Sequence, residues 1–241
     1  MRLLYQLTSP MERTLGDGEM ARRRAVMQRY AASGTEVEIR SIPRGPGSIE
    51  SAYDAALVVP EILASLAEAD RAGIDAAIIG CFSDPGIEAV REVTQMPVVG
   101  PGASALHLAA QLGNRFAIIS PGEVGGRVAG RMRALGLSDK FASVRGIAMP
   151  VLELAKDRNT ALERVAEVGR IAVKNDGADI LVLGCMSMAF LEITEDLQAR
   201  IGVPVVNPVV AAVKTAEMVA AMGLSHSKAA YPAPPLKEIY A

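Results

Sequence analysis

Two cysteines, Cys81 and Cys185, are the residues best suited to chemistry, and they are the only two in the 241-residue sequence. Each follows a glycine at the end of a short apolar run, at residues 73–81 and again at 177–185, a displacement of 104 positions. Two thiols at equivalent points of a duplicated fold can face each other across a cleft. Inversion of a carbon centre needs such a facing pair, one group to remove a proton and one to donate it.

The duplication extends beyond the cysteines. Pro-Val-Val recurs at 97–99 and 204–206, and the apolar run at the N-terminus has a counterpart beginning at residue 115. Short apolar runs closed by glycine are typical of buried parallel strands. The predicted strands are 2–7, 36–40, 75–80, 97–100, 115–120, 144–149, 179–184 and 203–206. The predicted helices lie near 17–32, 50–72, 85–95, 124–135, 154–176, 188–200 and 209–224, with Pro60 ending or kinking the second.

Strands that alternate with helices predict an α/β fold with parallel sheets. We therefore expect two pseudo-symmetric lobes, each with a four-stranded parallel sheet flanked by helices, and a cleft between them. The first lobe is predicted to comprise 1–101 plus 209–241, because the last helix returns to it, and the second lobe 102–208. A small-molecule site is expected in the cleft.

Composition excludes several classes of partner. A net charge of −2, 4% aromatic residues and no tryptophan argue against nucleic-acid binding, and the Arg22-Arg23-Arg24 run is interpreted as a solvated helix face. No apolar stretch approaches the length of a membrane helix or a secretory signal, so we expect a cytoplasmic protein. A small cytoplasmic enzyme is expected to form a homo-oligomer.

His107 is expected to be packed or on the surface and His226 in solvent; neither is spaced to bind metal, and the sequence predicts no metal or cofactor.

The residues after each cysteine suggest helix starts. Asp84 is a predicted N-cap with Pro85 as the first helical residue, and Ser187 is the predicted cap after Cys185. A helix N-terminus provides unpaired N–H groups and a positive dipole end, which favour the thiolate. We therefore expect lowered thiol pKa values. A single cysteine after a strand is more often a buried core residue, but the pair at equivalent positions favours function.

These residues resemble the aspartate/glutamate/hydantoin racemase superfamily, in particular its hydantoin and allantoin racemase branch, over nearly the whole chain. The most specific segments are Gly-Cys-Phe-Ser-Asp-Pro-Gly at 80–86 and Leu-Gly-Cys-Met-Ser-Met-Ala at 183–189. The resemblance implies cofactor-independent racemisation next to a carbonyl by two catalytic cysteines, Cys81 and Cys185, one on each face of the substrate. The residues implied to bind the substrate are Gln6, Thr8, Phe82, Ser83, Ser120, Gly122, Met186 and Ser187.

Three segments that contain implied substrate-binding residues depart from the family pattern. Gln-Leu-Thr-Ser-Pro-Met at 6–11 stands in place of an Asn-Pro-Asn-Thr-like opening, 120–123 in place of a threonine-rich loop, and Met186-Ser187 in place of an Ala-Gly pair. The expected substrate is a 5-substituted hydantoin or related ureide. The alternatives are amino-acid racemisation, maleate-type isomerisation or malonate decarboxylation, and, from another class, a non-catalytic small-molecule binding protein.

Overall fold

The fold consists of two four-stranded parallel sheets, as predicted. A computed structural model describes residues 1–123, 126–235 and 237. The first sheet contains β1 (Arg2–Gln6), β2 (Glu36–Arg40), β3 (Ala76–Ile79) and β4 (Val98–Val99). The second contains β5 (Phe116–Ser120), β6 (Phe141–Gly146), β7 (Ile180–Leu183) and β8 (Val205–Val206).

The strand order of each sheet creates a crevice where small molecules commonly bind in α/β proteins. The orders are β2-β1-β3-β4 and β6-β5-β7-β8, with every neighbouring pair parallel. The chain adds β2 on one side of β1 and β3 on the other, so the order reverses between β1 and β3, and likewise between β5 and β7. A crevice forms at the carboxyl ends of strands at such a reversal. Cys81 and Cys185 follow β3 and β7, so each lies at a crevice.

Ten α-helices are assigned in the described part of the chain. They are α1 (Met11–Thr14), α2 (Gly16–Tyr30), α3 (Ala52–Arg71), α4 (Ile87–Val93), α5 (Pro101–Leu112), α6 (Arg127–Ala134), α7 (Arg158–Asp176), α8 (Met186–Ala189), α9 (Thr194–Ile201) and α10 (Pro208–Ala221). The helix predicted near 124–135 is α6, and the first two residues of that prediction lie outside the described residues. The predicted span 188–200 is divided between α8 and α9. The sequence prediction did not delimit α5.

Pro60 does not end its helix. α3 runs from Ala52 to Arg71 with Pro60 inside it. A capping box at Ser51 and Asp54 fixes the start of α3. Val58 and Ile62 on either side of the proline are fully buried against the first sheet. Burial of this face offsets the one backbone hydrogen bond that proline removes.

Two helices cross between the sheets. α5 follows the first sheet but packs against β5, β7 and β8, while α10 follows the second sheet but packs against β3 and β4. α5 and α10 also pack against each other. One buried apolar cluster extends through both sheets, and in it the Tyr5 ring meets the Phe190 ring edge-on at 5.7 Å. The lobe boundaries at 101 and 209 remain our proposal.

Each helix in the described residues is too short or too polar to span a bilayer.

Candidate active site

A cleft of about 670 Å³ opens between the two sheets, and both cysteines line it. Its first wall includes Leu7, Thr8 and Cys81 from the ends of β1 and β3. Its second wall includes Ser120 and Cys185 from the ends of β5 and β7. The two thiols therefore belong to opposite lobes and to a single cavity.

Glycine precedes each cysteine because the central strand lies too close for a side chain. A Cβ atom at Gly80 would come within 2.8 Å of the Gln6 carbonyl oxygen, and one at Gly184 within 2.6 Å of the Ile118 side chain. Both distances are below van der Waals contact. Glycine at these two positions is thus a packing requirement, and the cysteine that follows each glycine lies on the wall of the cleft.

Cys81 is half-buried beside Ser83. Its sulfur lies 3.2 Å from the Ser83 hydroxyl. The Ser83 hydroxyl and backbone N–H favour the thiolate, but burial dominates and raises the pKa of the Cys81 thiol above its ordinary value.

Cys185 is more deeply buried, with 9% of its surface exposed. It occupies the N-cap position of α8, so the predicted cap Ser187 lies inside that short helix instead. Burial raises the pKa of Cys185 to about 11, against the lowering effect of the N–H groups of Met188 and Ser187. The expectation of lowered thiol pKa values is therefore wrong in direction, because desolvation outweighs the helix start.

Asp84 does not cap α4, which begins later, after Gly86. Its carboxylate instead accepts hydrogen bonds from the N–H groups of Gly102 and Ala103, at 2.9 and 2.8 Å, at the start of α5. Arg131 donates a third, at 2.6 Å. Asp84 thus connects residues 81–86, which we call the Cys81 loop, to two elements that pack on the second sheet. The Asp84 backbone is left-handed, with φ of 53°.

Seven of the eight predicted substrate-binding residues line the cleft: Thr8, Phe82, Ser83, Ser120, Gly122, Met186 and Ser187. Gln6 does not. Its side chain is fully buried, donates to the backbone oxygens of Leu7 and Arg40 and accepts from the Ser65 hydroxyl of α3. The Ser120 hydroxyl donates to the Gly122 carbonyl oxygen in its own loop. Whether these seven bind substrate remains a prediction.

Two arginines that no sequence pattern predicted reach the cysteine loops, which are the Cys81 loop and residues 185–190, the Cys185 loop. Arg23, within the run interpreted as solvated, is only 4% exposed, and it lines the cleft together with Arg131. Only its two neighbours in that run are exposed. The sequence offers one sign that Arg23 is held in place: Glu19 lies four residues before it on the same helix. The two side chains form an ion pair of 2.7 Å, which orients the Arg23 guanidinium.

Neither histidine lies in the cleft. His107 is exposed on α5. His226 is partly buried, and its Nε2 lies 2.8 Å from the Val98 backbone nitrogen, so the solvent position expected for it is wrong. Burial, followed by the charge of Arg91, lowers the pKa of His226 to about 4. The neutral ring is therefore the form that accepts from the backbone of β4.

The fold and site together define a two-lobed α/β protein with one thiol on each wall of an interlobe cleft. Solved structures share the two-lobed fold over the whole chain. The chain belongs to the Asp/Glu/hydantoin racemase family, whose model matches residues 21–216. It is therefore an isomerase of the racemase class.

Three similar proteins are named racemases. A hydantoin racemase from Pseudomonas sp. (strain NS671) is 36% identical over 202 residues, which is 82% of this chain and 79% of that protein. A hydantoin racemase from Rhizobium meliloti is 38% identical over 192 residues, 78% of each. The solved structure of an allantoin racemase from Klebsiella pneumoniae matches all of this chain and 96% of its own, with 30% identity and a TM-score of 0.89.

Proposed function

We propose that this protein racemises a hydantoin-type substrate at the carbon next to a ring carbonyl, with Cys81 and Cys185 as the two bases. The observation that carries the proposal is the placement of these thiols on opposite walls of one cleft, after equivalent strands. The names of the similar proteins support the substrate class, and family membership favours an enzyme over a protein that only binds.

The two cysteines can carry out the whole inversion, because one removes a proton and the other donates one. One cysteine, as thiolate, takes the proton from the substrate C5–H bond, and the bonding pair moves onto the adjacent carbonyl as an enolate. The other cysteine, as thiol, donates its proton to the opposite face of C5 and becomes the thiolate. For the other enantiomer the roles are exchanged. The free protein must hold one thiolate and one thiol, so the pair titrates as a unit.

The two arginines at the cysteine loops favour a substrate that carries no full charge next to the thiols. The two arginines that contact the cysteine loops are already paired, Arg23 with Glu19 at 2.7 Å and Arg131 with Asp84 at 2.6 Å. A substrate carboxylate would compete with these existing pairs. A neutral hydantoin ring needs only hydrogen bonds, and Thr8, Ser83 and Ser187 provide hydroxyls along the cleft.

The test is a substrate comparison in deuterium oxide. Each enantiomer of a 5-benzylhydantoin, of allantoin and of aspartate is incubated with the protein. Optical rotation follows inversion, and the NMR signal of the proton on the reacting carbon follows exchange. We expect inversion with deuterium incorporation for a hydantoin-type substrate and none for aspartate. Cys81→Ser and Cys185→Ser are each expected to lower inversion by at least about 100-fold.

The double variant is the control for a shared mechanism. Residues that act as a unit are not additive, so the doubly substituted protein should invert the substrate about as slowly as either single variant. Full racemisation in both single variants would contradict the two-base mechanism. Inversion of aspartate alone would move the assignment to amino-acid racemisation, and loss of a carboxyl group from aspartate would move it to decarboxylation.

A further inference from the structure

We infer that Arg23 and Arg131 are reciprocal positioning residues, each held by one lobe and each orienting the cysteine loop of the other. This inference rests on the proposed function. Arg23 belongs to α2, which follows the central strand of the first sheet, and Arg131 to α6, which follows the central strand of the second. Their separation of 108 positions is close to the 104 that separate the cysteines.

Arg131 crosses from the second lobe to the Cys81 loop. Its guanidinium donates to the Phe82 carbonyl oxygen at 2.7 Å and to the Asp84 carboxylate at 2.6 Å. It also lies over the Phe82 ring, with the guanidinium carbon 5.2 Å from the ring centre. The residue directly after Cys81 is thus held at its backbone and at its side chain by one arginine.

Arg23 crosses in the opposite direction to the Cys185 loop. Its guanidinium donates to the Ser187 hydroxyl at 3.1 Å and lies over the Phe190 ring, 4.7 Å from the ring centre. Glu19 on the same helix fixes the other edge of the guanidinium. Both arginines therefore combine a hydrogen bond to the opposite cysteine loop with a stack on a phenylalanine of that loop.

The backbone around Arg131 is built to admit it. A Cβ atom at Gly102 would lie 2.2 Å from the Arg131 guanidinium and 2.0 Å from the Phe82 carbonyl oxygen, and one at Gly100 would lie 2.6 Å from the Asp84 carboxyl carbon. Glycine at both positions leaves the space that the ion pair occupies. Three segments therefore approach closely here: the Gly100–Gly102 backbone, the Arg131 side chain and the Cys81 loop. This close approach serves the ion pair, because apolar packing alone does not require it.

The consequence for the reaction is geometric. Each thiol must lie in line with the C–H bond on its own face, and a displacement of about 1 Å can cost 100-fold in rate. Each arginine connects one lobe to the cysteine loop of the other. It therefore fixes the position and direction of the thiol in that loop relative to the cleft. Loss of Arg131 should misplace Cys81, and loss of Arg23 should misplace Cys185.

The test compares exchange with inversion for each enantiomer. The variants are Arg131→Lys and Arg23→Lys, which keep the charge but lose the planar fork. Asp84→Asn is a second variant for the Cys81 loop. Arg133→Lys and Arg24→Lys, exposed positions on the same two helices, are the matched controls. Circular dichroism and thermal unfolding establish that each variant is folded.

The single-cysteine variants supply the reference. In Cys81→Ser, the enantiomer that faces Cys185 can still lose its proton to Cys185 and recover a solvent deuteron from it, which gives exchange without inversion. Cys185→Ser should show this excess exchange in the other enantiomer. Equilibrium between enantiomers requires kcat/KM to fall equally in both directions, so the exchange-to-inversion ratio is the informative quantity.

We expect Arg131→Lys and Asp84→Asn to raise this ratio for the same enantiomer as Cys81→Ser, and Arg23→Lys for the same enantiomer as Cys185→Ser. Inversion should fall by roughly tenfold or more, and both controls should match the wild type. Folded Arg131→Lys and Arg23→Lys proteins with equal ratios for the two enantiomers would overturn the inference. A wild-type protein that inverts no hydantoin would instead overturn the proposed function.

Discussion

Tyr5 and Ile118 occupy the same position in the central strands of the two sheets, and each packs against the glycine that precedes its own lobe's cysteine. Tyr5 pairs with Ile78 and Ile118 with Val182, positions that are themselves 104 residues apart. A large aromatic side chain with a hydroxyl thus lies below Gly80, and an aliphatic one below Gly184. The repeat is not a true twofold, so the two thiols have different surroundings.

The two thiols should ionise in order. Burial raises the pKa of both thiols, that of Cys185 to about 11, but Cys81 is the more exposed of the two and has the Ser83 hydroxyl beside it to stabilise a thiolate. We therefore expect Cys81 to be the first thiolate and the first site of alkylation. Iodoacetamide labelling at pH 7, 8 and 9, followed by peptide mass spectrometry, measures the order. The rate at Cys81 should rise with pH before that at Cys185.

Labelling in urea is the control for this order, since both cysteines should then react at comparable rates near the ordinary thiol pKa of about 8.5. Earlier modification of Cys185 in the folded protein, or rates independent of pH at both sites, would contradict the predicted order of ionisation.

Local patterns predicted much of the fold. The sequence predicts β2 at 36–40 and the two strand ends at Gly-Cys correctly. Both predictions rest on apolar runs and glycines, whose effect on structure depends on residues that are close in the sequence. Element boundaries were less accurate where a segment was divided. The predicted helix at 154–176 is α7, which begins only at Arg158, after the Asp157 side chain caps it; a separate 3₁₀ turn at Val151–Glu153 precedes the predicted span.

The parts of the site that escaped prediction depend on distant contacts. Asp84 has the sequence of an N-cap, yet its partners are Gly102, Ala103 and Arg131, which no local pattern connects to it. Gln6 is at the right strand end for the cleft, but its side chain points to α3. The direction of the thiol pKa shifts failed for the same reason. Helix starts are visible in sequence, whereas desolvation is produced by packing of the two lobes.

Cys185 should make the protein less stable at alkaline pH. Its pKa rises from about 8.5 in the unfolded chain to about 11 in the fold. Between these values the unfolded chain has lost the proton that the folded protein keeps, so the free energy of unfolding falls as pH rises; below pH 8.5 the thiol has no such effect. From pH 8 to 10 we expect a loss of roughly 1 to 2 kcal/mol from this group.

Urea unfolding of wild type and Cys185→Ala at the two pH values measures the loss. The wild type should lose more stability than Cys185→Ala over this interval. An unchanged pH dependence in Cys185→Ala would show that other groups cause the alkaline loss.

Removal of the Tyr5 hydroxyl should not destabilise the protein. Tyr5 is fully buried, and its hydroxyl makes no hydrogen bond of good geometry among the residues that the structure describes, although the Arg23 guanidinium lies close to it. Burial raises its pKa far above the ordinary value, so the hydroxyl stays neutral. Burying an unpaired hydroxyl costs about 1 to 3 kcal/mol. Tyr5→Phe keeps the ring and its edge contact with Phe190, so we expect the free energy of unfolding to rise by about 1 kcal/mol.

Tyr5→Leu is the matched comparison, because it removes the same hydroxyl together with the ring. That variant should lose about 1 to 3 kcal/mol, since the ring packs against Gly80 and Phe190 and its loss leaves a cavity. Chemical denaturation of the three proteins measures both changes. A loss of more than about 1 kcal/mol in Tyr5→Phe would show that the hydroxyl has a partner in solution, either the nearby Arg23 guanidinium or a buried water molecule. Because Tyr5 lies next to Arg23 and both thiols, that water would also be close to the reacting groups.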